Sequence, residues 1–85
     1  MAAISMFFGI VIQMFSDDHN PPHFHARYQG YRASFDLDGN LREGAMPRKQ
    51  QRLIAAWAEI HREELEENWK LIEKGETLSK IDPLR

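Results

Sequence analysis

The spacing of apolar and polar positions changes along this chain, and each change predicts an element. Residues 7–15, "FFGIVIQMF", are nearly all apolar and rich in aromatic and β-branched side chains. Such a run predicts one strand covered on both faces or lying in an interface. Gly9 within it predicts a bulge or a close backbone approach. Residues 16–22, "SDDHNPP", end that ladder, because Asp, Asn and paired prolines cannot continue it. Asn20 precedes Pro21 and is biased toward extended geometry.

From His23 onward the period is two. Phe24, Ala26 and Tyr28 fall on one side, with His23, His25, Arg27 and Gln29 on the other. Tyr31, Ala33, Phe35 and Leu37 then alternate with Arg32, Ser34, Asp36 and Asp38. A tight turn at Gln29 and Gly30 would pair Tyr28 with Tyr31, Ala26 with Ala33 and Phe24 with Phe35. The same register sets His25 opposite Ser34 and His23 opposite Asp36, within bonding reach of its carboxylate. A second turn at "DGN", residues 38–40, leads to a short strand, "LREG". The expected sheet is an antiparallel meander of three or four strands.

After Pro47 the period becomes helical. Leu53, Ile54, Trp57 and Ile60 form one apolar stripe; Leu65, Trp69 and Ile72 form a second. At this spacing the two tryptophans predict core rather than a stacking platform. One unbroken helix would be long for so small a sheet, so a break is expected near His61. His61 would cap a second helix carrying Glu63 and Glu64 in its first turn and ending at Lys74 and Gly75. A single bent helix is the alternative, since neither Gly nor Pro enforces the break. Leu78, Ile81 and Leu84 predict a docked extended tail. The fold class is therefore α+β. One domain spans residues 1–85, with strands in 1–45, a helical segment in 46–75 and the tail in 76–85.

Composition narrows the picture. A hydrophobic content of 42% with 11% aromatic residues excludes a disordered chain. There is no cysteine, hence no disulfide and no thiolate metal site, which fits a reducing cytoplasm. The first residues lack the basic start and small-residue cleavage site of a leader, and the apolar run is too short to span a bilayer. No membrane association is expected. A chain of this length buries only roughly 60 to 65% of its unfolded surface. That marginal core and the apolar first run together predict a homodimer. A net charge of −2, with histidines neutral, provides no general attraction to nucleic acid. Locally the balance reverses: Arg27, Arg32, Arg42, Arg48, Lys49 and Arg52 outnumber Asp36, Asp38 and Glu43.

Chemistry concentrates in "DDHNPPHFHARY", residues 17–28, which holds three of the four histidines. His23 and His25, two apart on a strand, project to the same side, and His19 or Asp18 from the loop would close around them. Imidazoles with a carboxylate suit a divalent transition metal such as zinc, nickel or iron, with His19, His23 and His25 the candidate ligands. No named metal motif has this spacing. A second reading is a metal-independent ribonuclease. His23 and His25 would then be acid and base, and Arg27 would hold the phosphate. A third is a binding face made of Asp18, His19, His23, His25, Arg27 and Arg32, with Arg48, Lys49 and Arg52 adding contacts to phosphate or carboxylate. Asp17 is assigned to the turn, and His61 to a helix cap or the edge of the core.

Asp18, His19, Pro21, Pro22, His23 and His25, followed by Trp57, His61, Glu64, Leu65 and Trp69, carry a resemblance. The chain resembles a family of short bacterial proteins, the domain of unknown function DUF4160. Its pattern is Asp-His-x-Pro-Pro-His-x-His followed by a Trp…His…Glu-Leu…Trp helical half. The likeness covers nearly the whole chain. It implies a cytoplasmic member of a toxin–antitoxin-like gene pair, with a small cognate protein as partner. It brings no catalytic residue with it. Binding a partner protein or nucleic acid is the leading expectation; ribonuclease or metal-binding activity is the alternative.

Overall fold

A computed structural model describes residues 3–85. It is α+β, with five antiparallel strands in the order of the sequence: β1 (Ala3–Phe7), β2 (Ile10–Gln13), β3 (His23–Tyr28), β4 (Tyr31–Asp36) and β5 (Leu41–Gly44). Two helices follow, α1 (Arg48–Ile60) and α2 (Arg62–Lys74). Among the described residues no helix is long and apolar enough to cross a membrane.

The strand count corrects the expectation of three or four. The apolar run is not one strand but a hairpin, in which Phe7 pairs with Ile10. Phe8 and Gly9 both have positive φ, 50° and 78°, the geometry of a two-residue hairpin turn. Gly9 thus marks a turn rather than a bulge. Ile10 and Ile12 face the core, while Val11 and Gln13 lie on the opposite face.

The middle hairpin has the register that its alternation predicts, from His23 opposite Asp36 to Tyr28 opposite Tyr31. Gln29 and Gly30, both at positive φ, make its turn. The next turn is organised by Asp36, whose Oδ1 accepts the N–H groups of Asp38 (2.9 Å) and Asn40 (3.0 Å). Gly39 is required there. A Cβ on it would sit 2.8 Å from the Ala55 Cα, so the turn packs directly on α1.

The helices cover the apolar side of the sheet. Trp57 is fully buried, with its ring 5.5 Å from Phe7 and 5.6 Å from Phe24. Leu65, Trp69 and Ile72 are buried as their stripe predicts. Ile60 departs from its stripe and is 65% exposed, because the helix ends there. The break at His61 is real, and Glu63 and Glu64 occupy the first turn of α2. His61 stands at the cap position without capping through its ring, which bonds the Glu64 carboxylate instead. Pro47 lies one residue earlier than expected, at the cap of α1. Gly75 closes α2 in left-handed geometry: its N–H bonds Ile72 O, and the Glu76 N–H bonds Leu71 O.

The tail docks as an extended segment. Ile81 is buried, and its N–H donates to Ile4 O at 2.8 Å. Trp57 Nε1–H donates to Asp82 O at 2.8 Å. Asn68, also fully buried, holds Ser79 by both its backbone groups.

Candidate functional site

The loop between β2 and β3 folds back so that Asp18 meets the histidine side of β3. The Asp18 N–H bonds Phe15 O, and the Phe15 N–H bonds Asp18 Oδ2, both at 3.0 Å. This local turn commits one carboxylate oxygen and aims the other at the strand. Asp18 Oδ1 accepts the His25 Nε2–H at 3.1 Å and lies 3.6 Å from His23 Nε2. His23 is fixed from its other side, where Nδ1 lies 2.8 Å from Pro21 O. A carbonyl only accepts, so Nδ1 carries a hydrogen and donates it.

Asp18 and His23 are nearly withdrawn from water, with side chains only 10% and 11% exposed; the His25 side chain is 31% exposed. The rings support each other: His23 and His25 stand edge to face at 5.0 Å, and Phe15 stands edge to face on His25 at the same separation. Trp69 of α2 reaches His23, with ring centroids 5.5 Å apart, and donates its indole N–H to Asn20 Oδ1. His23 therefore does not point wholly away from the helices, as its strand face predicts. It is the first residue of β3, where the sheet ends and α2 comes close.

A groove of about 320 Å³ runs from His23 and His25 across the uncovered face of the sheet. Arg27 and Arg32, paired across β3 and β4, line it together with Arg42 and Glu43 from β5. Arg27, Arg32 and Arg42 are exposed and have no ion pair among the described residues. Ser34, opposite His25, also lines the groove; its hydroxyl is buried and has no hydrogen-bond partner.

Asp18, His23, His25, Arg27 and Arg32 are thus brought to one continuous surface. His19 is not: it is exposed, and the histidine–carboxylate cluster consists of Asp18, His23 and His25. His61 is also elsewhere, packed on Trp57. Arg48, Lys49 and Arg52 belong to α1 and do not line the groove. Asp36 bonds its own turn, so the acid that receives the histidines is Asp18. Arg42, Asn20 and Trp69 carry no local signal that would have placed them here, whereas the hairpin register had already set Ser34 opposite His25. Arg42 was visible only as part of a basic tract.

No curated protein and no solved structure matches the chain. A family model matches residues 9–70, a span that contains the loop, the histidine strand, the groove and α1. The chain belongs to that family, the domain of unknown function DUF4160.

Proposed function

We propose that the protein acts by binding, as a single-domain cytoplasmic component of a toxin–antitoxin-like pair. Its groove takes an anionic segment of the partner, carboxylates of a cognate protein or phosphates of nucleic acid. One observation carries this reading: Arg27, Arg32 and Arg42 line one groove with no ion pair among the described residues. Guanidinium groups cannot shed their charge, and their planar donor forks match carboxylate and phosphate alike. Three of them beside Glu43 leave an excess of positive charge that an anion would neutralise. The net charge of −2 makes the attraction local to this face.

Homodimerisation belongs to the same proposal. Met6 and Phe8, each 63% exposed, put apolar surface on the first hairpin. The ribonuclease alternative has no comparable support, because His23 Nε2 and His25 Nε2 address the same carboxylate oxygen instead of flanking a substrate phosphate.

The test is fluorescence anisotropy with a labelled single-stranded RNA and a labelled acidic peptide, each titrated across a salt series. The expected result is salt-sensitive binding of one of them, weakened by Arg27→Ala and by Arg32→Ala. For RNA, each substitution should lower the log–log salt slope by about 1. Failure of both probes to bind, or binding indifferent to both substitutions, would overturn the reading.

A further inference from the structure

We propose that Asp18, His23 and His25 form a binding site for one divalent first-row transition metal ion, with zinc the best fit. Pro21 O fixes the hydrogen of a neutral His23 on Nδ1, 2.8 Å away. The lone pair on Nε2 then faces Asp18 Oδ1 at 3.6 Å. Two acceptors confront each other where both side chains are about nine-tenths buried. A metal ion between them would be held by both atoms.

The third member makes the arrangement a ligand set. His25 Nε2 lies 3.1 Å from the same oxygen and would give up its proton, or pass it to Nδ1, when the metal binds; one ligand atom from each residue falls within 4.8 Å of the others. Tetrahedral zinc, with bonds of about 2.0 to 2.1 Å to nitrogen and oxygen, holds neighbouring ligand atoms about 3.3 to 3.4 Å apart. The two separations from Asp18 Oδ1, 3.1 and 3.6 Å, bracket that value. The supporting shell is also present. Metal-bound imidazoles commonly donate their second N–H to a carbonyl, and ligating carboxylates are themselves hydrogen-bonded. Pro21 O serves His23 in this way, and the Phe15 N–H serves Asp18.

The donor types select among metals. Two imidazoles and one carboxylate, with no thiolate in the chain, suit zinc or iron(II) better than copper(I) or calcium. Three protein ligands leave a coordination position free. His25, the most exposed of the three, lines the groove, so that position would take water or an oxygen of an incoming anion. His19, which the sequence offers as a ligand, takes no part.

The experiment is calorimetric titration of zinc chloride into the chelator-stripped full-length protein. One equivalent should bind. His23→Ala, His25→Ala and Asp18→Asn should each weaken binding by about 100-fold or more, at least the cost of losing a supporting partner. His19→Ala should leave it unchanged. Arg27→Ala should do the same, which separates this site from the arginine groove. The buried His23 variant could unfold, so a measurement on the unaltered protein stands beside it. Cobalt(II) in place of zinc should broaden the ring-proton resonances of His23 and His25 and spare those of His61. No uptake by the folded protein would overturn the proposal. So would uptake lost in His19→Ala, or broadening centred on His61.

Discussion

Phe24→Ala tests whether the two sides of β3 do different work. Phe24 is fully buried, stacked on Phe35 at 5.6 Å with 15° between planes, and met edge-on by Trp57 at 5.6 Å. Truncation removes the ring and leaves a cavity, a change that costs about 3 to 5 kcal/mol. The upper half of that range is expected because the walls cannot close. Phe35 is held by the β3–β4 ladder, and Trp57 is tied to the tail through Asp82 O. At 0.05 to 0.15 kcal/mol per residue, a chain of this length has a total stability of roughly 4 to 13 kcal/mol. The substitution therefore removes about 30% of the stability or more. With each kcal/mol worth about 4 to 8 °C in a domain of this size, the melting point should fall by at least about 16 °C. Arg27→Ala, on the exposed side of the same strand, should change stability by no more than about 0.5 kcal/mol. Urea unfolding followed by tryptophan fluorescence, with circular dichroism in parallel, measures both. A loss below about 1 kcal/mol for Phe24→Ala, or equal losses in the two variants, would refute the assignment of faces.

Asn68→Ala should cost about 1 to 3 kcal/mol, because it strips partners from the Ser79 N–H and C=O at a buried position. Hydrogen exchange should show the Ser79 amide losing protection, and unchanged protection would mean that the tail is held by other contacts. Sedimentation velocity at micromolar concentration should show a dimer that Phe8→Glu converts to monomer; a wild-type monomer across that range would end the hairpin-interface proposal.

Local period, read from the sequence alone, determined much of this fold. Strand side chains alternate strictly, and a slip of one residue would bury His25 and expose Phe24, so the pattern determined the faces while the two-residue turn at Gln29 and Gly30 determined the β3–β4 register. A helical period likewise placed the apolar stripes around Trp57 and Trp69, Ile60 excepted, and Gly75 marked the stop. The first hairpin was illegible for the converse reason. A run apolar at nearly every position has no alternation for a turn to interrupt, and Gly9 alone does not distinguish a bulge from a reversal. The site was half legible. His23, His25, Arg27 and Arg32 share a face because they lie at strand spacing, whereas the choice of Asp18 over His19 depended on where a proline-stiffened loop aims its side chains. That aim is set by the Phe15 N–H on one carboxylate oxygen and by a contact 49 residues away, from Trp69 to Asn20. Arg42 joined the groove only when β5 closed onto β4. Contacts of that kind arise from packing between distant segments, and tertiary structure alone decided them.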